Sequence, residues 1–138
     1  MRAELPSILI IEDSDMDVFL IREALETAEV DANVHVVNDG DAGIKFFDAL
    51  DADENAACPV IVLLDLNLPK RSGNEVLKHL RKSTRCSAAR VIIVSSSDAP
   101  RDRASAADSA VAGYFKKPSD YSEFMKLVAL VKELLEAP

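Results

Sequence analysis

The sequence has no tryptophan, four glycines and two cysteines, and aromatic residues make up 5% of it. So few rings cannot build a surface on which bases stack. So few glycines leave no loop to cradle phosphates, and neither GxGxxG nor a GxxxxGKS/T run occurs. Basic residues are also the minority: 16 Lys and Arg against 24 Asp and Glu give a formal charge of -8. An anionic surface repels phosphate backbones and anionic lipid, so neither nucleic acid nor membrane is an expected partner. No apolar stretch approaches the roughly 18 residues of a membrane span. The start, Met1-Arg2-Ala3-Glu4-Leu5-Pro6, lacks the apolar region and cleavage site of a secretory signal. A cytoplasmic location is expected. Cys58 and Cys86 form neither a CxxC nor a Cys/His metal pattern, which reads as two partly buried thiols in a reducing compartment.

What the chain does have is apolar material: 49% of 138 residues, with 29% charged. That suffices for one self-sufficient core, so residues 1–138 are expected to form a single domain. Short apolar runs recur, each followed by an amphipathic stretch. The runs are Ile8–Ile11, Val34–Val37, Val60–Leu64, Val91–Val94 and the brief Gly113–Phe115. Three are continuous and rich in β-branched residues, as in strands buried on both faces of a parallel sheet. Between them, helices are expected after Ser14 and around Asp41–Leu50, Gly73–Lys82 and Pro100–Ala110. In a further, final helix Phe124, Leu127, Val128, Val131, Leu134 and Leu135 make a single apolar stripe. Asp120 followed by Glu123 supplies its start signal. The acidic segment Asp51–Pro59 reads as a long, mobile loop. This alternation predicts an α/β fold, a (βα)5 doubly wound parallel five-stranded sheet in a three-layer sandwich of flavodoxin-like shape.

In such sheets the working site lies beyond the carboxyl ends of the strands, where strand order reverses. The first strand ends in Glu12-Asp13, the third in Asp65 followed by Leu66-Asn67-Leu68-Pro69, and the fourth in Ser95-Ser96-Ser97. Lys116-Lys117-Pro118 follows the fifth. Singly, each has a plain reading as a cap, a solvated turn or a helix boundary. Together they bring carboxylates, a hydroxyl and an ammonium to one rim. Close carboxylates repel, and a divalent cation relieves them. All-oxygen ligation with room for water favours Mg2+. Beside such a cation, with Lys and hydroxyl donors to hand, Asp65 can act as a nucleophile toward a phosphoryl group.

At these residues the chain resembles the receiver domain of two-component response regulators, the CheY-like fold, over about Ser7 to Glu136. The matching motifs are Ile10-Ile11-Glu12-Asp13, Leu64-Asp65-Leu66-Asn67-Leu68-Pro69 with Gly73, Val94-Ser95-Ser96 and Tyr114-Phe115-Lys116-Lys117-Pro118. The Leu-Asn-Leu-Pro-Lys segment, the triple serine and the extended Asp51–Pro59 loop look most like the stand-alone regulators associated with bacterial phytochromes. The resemblance implies that Asp65 accepts a phosphoryl group from a sensor histidine kinase's phosphohistidine. It implies Mg2+ on the side chains of Asp13 and Asp65 and the backbone carbonyl of Asn67, with Glu12 acting through water. It further implies Lys117 and Ser95 on the phosphoryl oxygens, Tyr114 as the switch aromatic, and a cis Lys117-Pro118 bond.

Rival functions fit less well. A Mg2+-dependent aspartyl-phosphate phosphatase needs a general acid two places after the nucleophile, where Asn67 stands. A nucleotide module needs the missing phosphate loop, and an adaptor without phosphorylation would not need the acceptor site. The chain stops at Pro138 after the last predicted helix, so no output domain is expected. Output is expected through the face of the fourth helix, fifth strand and last helix, as homodimerisation or partner docking. His35 and His79 are read as structural. Arg81, Lys82, Arg85 and Arg90 are read as a solvated basic face.

Overall fold

The apolar runs fold into strands because helices cover both faces of the sheet they form. A computed structural model describes residues 5–96, 111–117 and 121–136. In chain order they form β1 (Ser7–Ile11), α1 (Asp15–Thr27), β2 (Asn33–Val37), α2 (Gly40–Asp51) and β3 (Ile61–Leu64). Then come α3 (Gly73–Arg81), β4 (Arg90–Ser95), β5 (Gly113–Lys116) and α4 (Tyr121–Glu136). The strands make one parallel sheet in the order β2-β1-β3-β4-β5. The expected helix around Pro100–Ala110, Ser97, the Lys117-Pro118 bond and the Asp120 start signal lie outside the described residues.

Alternation along the strands divides the core in two. Leu9, Ile11, Val62, Leu64, Val91 and Ile93 face α2 and α3, where Phe47, Val76, Leu77 and Leu80 meet them. Ile8, Ile10, Ile61, Leu63, Ile92 and Val94 face α1 and α4, packing on Ile21, Leu25, Phe124, Leu127 and Val128. Completely burying one such side chain stabilises the fold by about 1.5–3 kcal/mol.

Caps fix where the first three helices start. Ser14, Asp39 and Ser72 accept the backbone N–H groups of Asp17, Ala42 and Glu75. Two glycines permit backbone contact that a side chain would block. A Cβ on Gly40 would collide with the Arg71 carbonyl, and one on Gly73 with the Asp65 carbonyl.

Two expectations fail at the opposite end of the sheet, where β3 and β4 begin. Cys58 and Cys86 are not free thiols but a disulfide, with Cα atoms 5.5 Å apart. Their 28-position separation in sequence hid the pair. Because β3 and β4 are parallel neighbours, the segments entering them run side by side. The cysteines therefore give no support to a reducing compartment. Nor is the acidic segment after α2 loose. The Arg85 guanidinium donates to the carbonyls of Leu50, Asp53, Glu54 and Ala56. Asp51 accepts from the Ser83 hydroxyl at 2.6 Å and the Arg85 N–H at 3.1 Å. Those bonds, the hydroxyl's first, hold its carboxyl below the usual range. Arg81 likewise donates to the carbonyls of Ser87 and Ala89. Two of the four residues read as a solvated basic face thus bind backbone.

Candidate functional site

The strand order changes direction between β1 and β3, and the carboxylates stand at that point. Glu12 and Asp13 leave β1, Asp65 leaves β3, Ser95 ends β4 and Lys117 follows β5. The structure brings all of them except Tyr114 to one rim. Glu12, Asp13 and Asp65 can each offer an oxygen within 4.8 Å of the others. Glu12 and Asp65 are buried, whereas Asp13 is exposed.

Lys117 ties the rim together. Its Nζ lies 2.9 Å from Glu12 Oε1, 3.2 Å from Asp65 Oδ2 and 2.8 Å from Asp17 Oδ2. Burial alone would depress its pKa, but the bonds to Asp17 and Glu12 and the charge of Asp65 outweigh that and raise it. Glu12 moves in the opposite sense to an ordinary ion-paired acid. Burial pushes its pKa up to about 7, against the lowering effect of the Lys117 bond, and the charge of Asp65 adds to the rise.

Local backbone fixes these side chains. Glu12 Oε2 accepts from the Ser14 N–H, and the Glu12 carbonyl accepts from the Asn38 amide. Asp65 Oδ1 accepts from the Asn67 N–H at 3.1 Å, leaving Oδ2 to Lys117. The Gly73 N–H returns to the Leu66 carbonyl, closing the turn that carries Asp65. Asn67 Nδ2 reaches Ser95 Oγ at 3.4 Å, and the Lys117 N–H donates to the Ser95 carbonyl at 2.7 Å. Tyr114 lies deeper, opposite Ile93, and packs against the α2–α3 side of the core.

Asp17 is the residue sequence reasoning missed. Its acidic character in the first turn of α1 signalled only a favourable helix dipole. Nothing in the sequence announces its contact with a lysine near the other end of the chain. His79, read as structural, pairs with Asp48 at 2.7 Å on the α2–α3 surface, away from the rim.

Three convergent carboxylate oxygens, without nitrogen or sulfur donors, fit a hard divalent cation such as Mg2+. An open parallel sheet with this set at its switch point, and one lysine reaching across it, defines a receiver type of domain. The chain belongs to the response regulator receiver domain family of two-component signalling, matching it over residues 8–129. It is similar to the response regulator Rcp1 of Synechocystis sp., with 31% identity over 121 residues, 88% of this chain and 82% of that protein. It resembles the phosphorylated cyanobacterial phytochrome response regulator RcpA at a TM-score of 0.84 and 31% identity, across 96% of this chain and 95% of that one. The Mn2+-bound form of Rcp1 gives a TM-score of 0.83 at 29% identity, across 96% and 97% of the two chains.

Proposed function

We propose that the protein is a phosphoacceptor, taking a phosphoryl group from a sensor kinase's phosphohistidine onto Asp65. The observation that carries this reading is the buried Asp65 carboxylate, with Lys117 Nζ at 3.2 Å and acidic oxygens of Glu12 and Asp13 beside it. A carboxylate oxygen of Asp65 attacks phosphorus. The new P–O bond replaces the P–N bond, whose electron pair returns to the kinase's imidazole. Lys117 stabilises charge on the transferring oxygens, and its flexible stem lets the ammonium follow them. Ser95 offers a hydroxyl to the same group.

Asp13, Asp65 and the Asn67 carbonyl would hold Mg2+, with Glu12 acting through water. The cation supplies neutralisation of the charge gathering on the phosphoryl oxygens. The Mn2+ bound to Rcp1 supports a divalent cation at such a rim. Hydrolysis of the aspartyl phosphate is the only catalysis assigned; a phosphatase acting on other substrates is disfavoured because Asn67 offers no acid.

The phytochrome connection of RcpA supports a phytochrome-type kinase as the phosphodonor. Tyr114 would follow Ser95 when the hydroxyl turns toward phosphate, carrying the change to the face of β5 and α4. Homodimerisation or partner docking would use that face, together with the segment between β4 and β5. We place the protein in the cytoplasm with the kinase's phosphohistidine. Among the described residues no helix is long and apolar enough to cross a membrane.

The test is intact mass after incubation with Mg2+ and a small phosphodonor. One phosphoryl adduct is expected on the native chain and none on Asp65→Asn; an adduct on His35 or His79 would defeat the assignment. Red-light-dependent transfer from a phytochrome kinase tests the pathway separately.

A further inference from the structure

The Lys117 ammonium has three N–H donors and three carboxyl neighbours, Glu12, Asp65 and Asp17. Capture of phosphate by Lys117 therefore requires it to release one of them. Glu12 and Asp65 side chains are each 3% exposed, whereas Asp17 is 22% exposed. Releasing a buried carboxylate strands a charge away from water, while Asp17 is rehydrated where it stands. Its contact at 2.8 Å is also shorter than the 3.2 Å contact with Asp65, so at rest the ammonium is shared outward.

Resting on the phosphoacceptor reading, we propose that Asp17 is a positioning residue, the outer anchor that keeps Lys117 from monopolising the acceptor carboxylate. At rest it draws the ammonium toward α1, which leaves Glu12 and Asp65 oxygens available to a cation. When the phosphoryl group arrives, Asp17 is the contact Lys117 gives up. The anchor is built into the fold because the Ser14 cap holds the first turn of α1, through the Asp17 N–H, against the rim. That bond uses the backbone of Asp17, so changing its side chain leaves the cap in place.

The test is calorimetric titration of the full chain with Mg2+, with no phosphodonor present. Asp17→Asn, which keeps shape and removes charge, is expected to weaken Mg2+ binding roughly fivefold as Lys117 shifts onto Glu12 and Asp65. Asp17→Glu is expected to restore binding to within about twofold. The decisive arm is the Lys117→Met background, where Asp17→Asn should change affinity less than about twofold. An equal loss in both backgrounds would mean that Asp17 attracts the metal directly and would overturn the proposal. Unchanged affinity in the single variant would overturn it too. If the native chain takes no Mg2+ and forms no adduct, the phosphoacceptor reading fails instead.

Discussion

The two ends of the parallel sheet are held by opposite means. Where β3 and β4 begin, one guanidinium spreads over four carbonyls, a carboxylate accepts from matched donors, and a disulfide closes the loop. Those partners are backbone groups, a serine hydroxyl and a covalent bond, which no soluble ion replaces. Where the strands finish, Glu12, Asp17 and Asp65 crowd the Lys117 ammonium, with Asp13 beside Glu12 and Asp65. Lys117 meets only carboxyl groups there, and a cation or a phosphoryl group competes with it directly. The proposed function resides at the end whose charges are incompletely balanced. The other end supplies the rigidity against which that imbalance is maintained.

The sharpest way to break the contrast is Lys117→Met. Removing Lys117, the only cation on the rim among the described residues, leaves Glu12 and Asp65 buried beside one another. The expected loss is about 3–5 kcal/mol in metal-free protein, read as a fall in denaturation midpoint, with Mg2+ restoring much of it. Next in size is reduction of Cys58–Cys86 by a dithiol. Opening a cross-link between residues 28 positions apart should cost about 2–4 kcal/mol. The rate of phosphorylation should nevertheless stay within about twofold, because the Arg85 bonds keep the loop seated. A collapse of phosphorylation on reduction would show that the two ends are not independent.

The smallest effect concerns pH. Native Glu12 holds its proton to about 7, whereas an unfolded glutamate releases it near 4.5. Between those values the native chain binds more protons than the unfolded chain. Metal-free stability should therefore fall as pH rises through that window, by on the order of 1 kcal/mol, since Lys117 shares the developing charge. Stability maxima measured at pH 5 and pH 7 check it. Mg2+, competing with the same proton, should bind more tightly at pH 8 than at pH 6. Replacing Glu12 by Gln should flatten both trends.

The sheet was legible because parallel strands buried on both faces leave continuous apolar runs, and the rim because its residues directly follow those runs. Ser14 and Asp65 announce themselves by position alone. What sequence could not show are pairings made by the fold: Cys58 with Cys86, Arg85 with the carbonyls after α2, Asp17 with Lys117. Each joins segments remote in the chain, and neither periodicity nor spacing carries a trace of them. The acidic loop misled for the same reason. Its composition is that of a solvated segment, yet its anchor is an arginine across the gap between α2 and β4.

Gly73 gives the molecule a direction. With no room for even a methyl group between it and the Asp65 carbonyl, the start of α3 rests on the main chain of that aspartate. Gly40 seats α2 equally closely on the Arg71 carbonyl in the stretch before α3. On that flank the backbone packs without room for a side chain, so displacement at the rim is expected to travel the other way, toward β4, β5 and α1. A substitution at Gly73 would then do more than loosen the packing: it would shift the point of support from which every other part is moved.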